Sequence, residues 1–186
     1  MGTRNLIAVY MDGEYKIAQY SQWDGYPEGQ GSTCLYFLRE EMIEHKFRER
    51  LRKLRMIQNE KQMAAIKSLY PKGTSFPEFD RDTGADILKI VQSGETTSGC
   101  VANNIGFAAG TSVFGCEWAW VIDLDRRTFE AYIGYNKKPL SEKDRFYFLE
   151  DQCDEGYHPA KLVHEWSLND LPNREQFLRA FREEDE

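Results

Sequence analysis

The chain has 186 residues, 41% of them hydrophobic and 13% aromatic, and a formal net charge of −7. That apolar content supplies a core and excludes a disordered chain, while the acidic balance argues against nucleic-acid and anionic-membrane partners, whose binding rests on Lys and Arg at phosphates. The four scattered cysteines, Cys34, Cys100, Cys116 and Cys153, form no C-x-x-C pair, and no apolar run reaches the length of a membrane span.

Residues 4–11 read as a buried strand, because Leu6, Ile7, Ala8, Val9 and Tyr10 are consecutive and apolar. Asp12-Gly13 is a strong two-residue hairpin signal, and 14–22 returns as a second strand. The return strand runs into Gln22-Trp23-Asp24-Gly25-Tyr26-Pro27 and the glycine-rich Glu28-Gly29-Gln30-Gly31. Two large aromatics, an amide, a carboxylate and a proline crowd this turn, and loops held by a rigid strand are where binding groups usually sit. We read it as a binding lip in which Trp23 and Tyr26 offer flat apolar area while Gln22 and Asp24 orient a polar guest. The competing reading is a shaped turn whose Trp23 plugs the core.

From about 31 to 67 the apolar spacing is helical, as one long helix or two broken near Gln58-Asn59. The basic run from Lys46 to Arg55 reads as a solvated helix face partly neutralised by acidic neighbours. Residues 70–82 read as a loop, 83–91 as a helix start, and 93–99 as a polar connection. Residues 116–124 alternate, with Trp118, Trp120, Ile122 and Leu124 on one face and Glu117, Ala119, Val121 and Asp123 on the other. Asp125-Arg126-Arg127 turns the chain into a return strand over 128–135. Either the tryptophan face is the core and Glu117 and Asp123 are solvated, or the sheet is covered on both sides and the two acids need partners. The first is the simpler expectation. Ser141 reads as a helix start, 161–168 as a short strand, 172–184 as an amphipathic helix, and 183–186 as a frayed acidic tail.

The expected fold is therefore α+β: one domain over 1–186, an antiparallel sheet built from two hairpins, and helices packed against it. Residues 46–82 form a helical and loop insertion. Reduced thiols and the lack of a signal peptide point to the cytoplasm. No cofactor is expected. The histidines His45, His158 and His164 share no metal-ligand spacing.

The segments Gly2-Thr3-Arg4-Asn5-Leu6-Ile7-Ala8-Val9, Gln22 to Pro27, and Cys116-Glu117-Trp118-Ala119-Trp120-Val121-Ile122-Asp123-Leu124-Asp125 resemble a group of uncharacterised proteins from fungal and bacteriophage genomes. The resemblance covers roughly residues 2–135 and implies no mechanism. Two function classes follow from the residues themselves. One is a module that binds a small molecule or peptide through Gln22, Trp23, Asp24 and Tyr26 with Glu117 and Asp123. The other is an amide hydrolase of N-terminal-nucleophile type using Thr3, a reading that a pocket holding Thr3 beside Gln22 and Asp123 would favour.

Overall fold

A computed structural model describes residues 2–182. The expected acidic tail at 183–186 lies outside the described residues. The architecture is α+β, around a mostly antiparallel five-stranded sheet. Its strands are β1 (Asn5–Met11), β2 (Glu14–Ser21), β5 (Trp118–Asp123), β6 (Thr128–Ile133) and β7 (Lys161–Ser167), in the order β2-β1-β5-β6-β7. The short β3 (Arg55–Ile57) and β4 (Cys100–Ala102) pair separately and in parallel.

β1 pairs antiparallel with β2 around Asp12 and Gly13, both at positive φ (53° and 80°), the backbone that a tight twisted connection requires. On its other side β1 runs parallel to β5, from Asn5 opposite Trp118 to Tyr10 opposite Asp123. This parallel pair corrects the purely antiparallel expectation. It places β1 in the sheet interior, which is why its apolar residues are consecutive rather than alternating.

Both faces of the sheet are covered. One carries Ile7, Val9, Met11, Ile17, Trp120, Ile122 and Phe129, packed under α1 (Ser32–Tyr36), α2 (Glu44–Lys53), α4 (Asp86–Ser93) and α5 (Arg174–Arg182). Trp120 is fully buried, stacked on Trp118 at 5.6 Å and ringed by Phe129, Phe177 and Phe181. The opposite face carries Leu6, Ala8, Ala119, Val121 and Tyr132, beneath Ala108, Phe146, Leu149 and Ala160. This second cover consists of loops and two short 3₁₀ segments, Ile105–Ala108 and Tyr147–Gln152.

The expected long helix is four pieces. A wide turn, Pro27–Gly31, leads into α1, and a second, Phe37–Glu41, follows it. Extended backbone at Met42 and Ile43 separates these from α2, and β3 separates α2 from α3 (Glu60–Lys67). α1, the Phe37–Glu41 turn and α2 face one core, which keeps their apolar stripe continuous in sequence, whereas α3 buries no residue. The break between α2 and α3 falls beside the Gln58-Asn59 position that the sequence offered, with Asn59 capping α3. The basic run behaves as a solvated face: Arg48 pairs with Glu44 at 3.0 Å, Lys53 with Glu49 at 2.6 Å, and Arg52 with Asp12 at 3.2 Å. Ser141 does not start a helix. Its N–H and hydroxyl both donate to Asp144 Oδ2, at 2.7 and 2.8 Å, closing a local turn instead.

One contact ties the two tight connections together. Asp125 accepts from the Asp12 N–H at 3.0 Å and the Gly13 N–H at 2.9 Å, and the Gly13 bond holds its carboxyl below the usual aspartate range. Asp125→Ala is expected to cost about 1–2 kcal/mol in urea unfolding, because it frees two backbone donors at once. An unchanged midpoint would show that water replaces the carboxylate without loss.

Candidate functional site

The sequence-derived candidates fall in three places. Gln22, Trp23, Asp24 and Tyr26 form an outward turn beyond the end of β2. Its backbone is held tightly: Gly25 N–H donates to Thr3 O at 2.9 Å, Gln30 N–H to Asp24 O at 2.7 Å, and the Trp120 indole to Gly25 O at 2.8 Å. Asp24 sits at φ 54°, and a Cβ on Gly29 would lie 2.1 Å from Asp24 O, so only glycine fits there. Trp23 does not plug the core. It is 45% exposed, Tyr26 is 40% exposed, and the Trp23 indole donates to Asp82 at 2.8 Å.

Glu117 lies at the same end of the sheet but elsewhere. Its carboxylate accepts from the Arg4 N–H at 3.1 Å and faces the Arg4 guanidinium at 3.3 Å, which also donates to the Tyr135 hydroxyl at 2.7 Å. Asp123 is at the far end. Five residue steps of β1 separate the Asn5–Trp118 pair from the Tyr10–Asp123 pair, roughly 17 Å of strand. One small guest does not reach both the lip and Asp123. The same separation keeps Asp123 apart from Thr3 and Gln22, so these three residues do not share the pocket that would favour the hydrolase reading.

Asp123 is not solvated; it is 1% exposed, because the face it shares with Ala119 and Val121 is covered. Sheet register then brings its partners. Thr128 pairs with Asp123, Glu130 with Val121 and Tyr132 with Ala119, which puts Glu130 and Tyr132 on the same face. Arg145 reaches in from the covering loop. It donates to Asp123 Oδ2 at 2.5 Å and to Glu130 at 2.7 and 2.8 Å. Glu130, fully buried, also accepts from Thr128 at 2.7 Å and from Tyr132 at 2.6 Å. The second Asp123 oxygen accepts the N–H groups of Asp125 and Arg126, at 2.9 and 2.8 Å. Two buried carboxylates and one guanidinium are thus mutually satisfied.

Asp123, Tyr132 and Arg145 of this cluster line a cleft of about 660 Å³, within the range of small-molecule sites, with Glu130 buried behind them. Tyr10 and Tyr15, edge to face at 5.1 Å, form one wall, and Phe148, 54% exposed, and Leu162 line another side. Arg126, Lys143, Glu14, Asp144 and Glu165 also line it. Arg126 is paired with Glu165 at 3.0 Å, whereas Lys143 has no ion-pair partner among the described residues.

The electrostatics are one-sided. Burial raises the Tyr15 phenol to about 12 despite the guanidinium beside it. Burial and the Glu130 carboxylate raise the Tyr132 phenol as well. Burial pushes Glu130 upward, but the hydrogen bonds and charge of Arg145 outweigh it and hold the carboxyl below its usual range. Burial disfavours the Arg145 cation, and the two carboxylates more than restore it. Each of these groups is displaced away from neutrality, so each keeps one protonation state near pH 7. That suits a fixed polar floor better than proton transfer. Burial raises the pKa of the Cys34, Cys116 and Cys153 thiols, away from the reactive thiolate, and Cys100 is buried as well.

Of the residues in this cluster the sequence singles out Asp123, which it groups with the lip, and not Glu130, Tyr132 or Arg145. A charged residue alternating with apolar ones on 128–133, two places from a tyrosine, was a readable signal for Glu130. Arg145 gave none, because loop position alone does not say which way a side chain points. Among the described residues no helix is long and apolar enough to cross a membrane, and no group of three His, Cys, Asp or Glu has metal-binding geometry. No family model, curated protein or solved structure matches this chain.

Proposed function

We propose that this is a small-molecule-binding protein whose site is the tyrosine-walled cleft above Asp123, Glu130 and Arg145. The observation that carries the reading is the floor itself: a fully hydrogen-bonded ionic cluster at the base of a concave site, with every displaced ionisation moved away from neutral pH. Such a floor offers a rigid, preorganised surface whose own groups keep one protonation state near pH 7. The volume suits a compact guest better than a peptide. Tyr10 and Tyr15 hold its apolar body, and Lys143, which has no ion-pair partner among the described residues, holds an anionic end.

The test is a thermal-shift screen of amino acids, hydroxy acids, sugar acids and phosphorylated sugars, followed by calorimetry on any hit. The expected hit carries a carboxylate or phosphate. Lys143→Ala should weaken it about tenfold or more, the scale of a charge-assisted hydrogen bond, with Tm unchanged in the absence of ligand. Neutral hits only, or a hit insensitive to both Lys143→Ala and Tyr10→Leu, would overturn the assignment.

A further inference from the structure

A second concavity, of about 580 Å³, lies away from the cleft and borders the lip. It is formed by the end of α3 and the loop that follows, including Lys67, Tyr70, Lys72, Phe76, Phe79 and Arg81. Two properties distinguish it. The first is charge: in a chain of net charge −7, three cations converge here around one carboxylate, Asp80. Among the described residues neither Lys67 nor Lys72 has an ion-pair partner, and Arg81 has only its neighbour Asp82, at 3.9 Å. Uncompensated charge in a concave site raises the local concentration of anions.

The second property is a platform of flat rings. Phe76 and Phe79 stack at 5.8 Å with their planes 20° apart, and Tyr70 meets Phe76 edge-on at 5.2 Å. Both phenylalanines are only half buried. Lys67 holds its ammonium over both rings, 5.9 and 5.7 Å from their centroids. A cation over an aromatic face is a modest attraction at an exposed site, and a phosphate oxygen competes for it readily. The wall is anchored to the lip: Gln22 N–H donates to Arg81 O at 3.0 Å, and the Trp23 indole to Asp82 at 2.8 Å. The exposed Trp23 ring therefore stands beside the same segment.

We propose that this hollow binds a planar ring bearing an anionic group, the chemistry of a nucleoside monophosphate. The ring stacks on the Phe76–Phe79 platform and the phosphate takes Lys67, Lys72 and Arg81. Neither half is sufficient. A bare anion meets mobile surface cations, which hold it weakly. A neutral ring gains stacking alone, about 1–3 kcal/mol for a base on an aromatic side chain. The site shares no residue with the cleft, so the two readings stand or fall separately.

The experiment is an amide-resolved NMR titration of the full chain with AMP, adenosine and inorganic phosphate, in low salt. AMP is expected to shift the amides of residues 67–82 and the Trp23 indole, saturating in the millimolar range or below. Adenosine and phosphate alone should each bind at least tenfold more weakly. Lys72→Ala and Phe79→Leu, both at exposed or half-exposed positions, should each weaken AMP severalfold while leaving the remaining spectrum in place. Phosphate binding as tightly as AMP, shifts confined to the cleft around Tyr10 and Lys143, or no shift in 67–82 at saturating AMP would each overturn the proposal.

Discussion

Replacing Arg145 with methionine is expected to destabilise the protein by about 3–5 kcal/mol at neutral pH, the usual cost of removing one member of a buried ionic cluster. The side chain is 9% exposed and pairs with two carboxylates that are themselves almost wholly buried. Methionine preserves most of the volume, so the loss is electrostatic. The pH dependence separates this from a packing defect. In the wild type the Glu130 pKa is depressed, so its contribution is complete above the unfolded glutamate value and is lost as pH falls through the folded one. Wild-type stability should therefore decline below about pH 4.3 through this group. In Arg145→Met the two buried carboxylates keep, as a cation among the described residues, only the half-exposed Arg126, 3.5 Å from Glu130, so the carboxyl of Glu130 should be pushed up from its depressed wild-type position. The variant should gain stability as pH falls from 7 toward 5, where the wild type is flat. Urea unfolding across that range measures both. Parallel curves for the two proteins would show that the cluster is not ionised as described.

Trp120→Ala is expected to cost about 3–5 kcal/mol, the range for emptying a buried aromatic site. The ring contacts Trp118, Phe129, Phe177 and Phe181, and Gly31 approaches so closely that a Cβ there would lie 2.6 Å from it. A second readout is more specific. The indole donates to Gly25 O beneath the lip, so Trp120→Phe keeps most of the apolar packing but removes that bond. Trp120→Phe should cost about 1–3 kcal/mol, the penalty for an unpaired buried carbonyl. It should also speed amide exchange at Gly25 and Gln30, which share that turn. If exchange there is unchanged, Trp120 is core filling and not a support for the lip.

How much was legible depended on how local each signal was. The alternation of 118–123 and the apolar run of 5–11 identified strands because side-chain period is written into adjacent residues. The parallel contact of β1 with β5 was not, because nothing in either segment names a partner more than a hundred positions away. The covered second face was illegible for a related reason. Its cover consists of irregular segments such as 105–108 and 147–152, which carry no periodicity. That single omission made Asp123 look solvent-facing and hid Arg145. The lip was legible as a turn, since Asp24-Gly25 and Pro27 have intrinsic backbone preferences. Its distance from Asp123 was not, because register decides it.

The central position of the first strand has a kinetic consequence. Asn5 must pair with Trp118, so the core of the sheet closes only after the intervening hundred-odd residues have left the ribosome. Until then the β1–β2 unit presents an apolar, unpaired edge, the kind of surface on which nascent chains associate with one another. Non-local parallel pairing is slow to form, so refolding yield should fall with protein concentration even where the finished fold is stable.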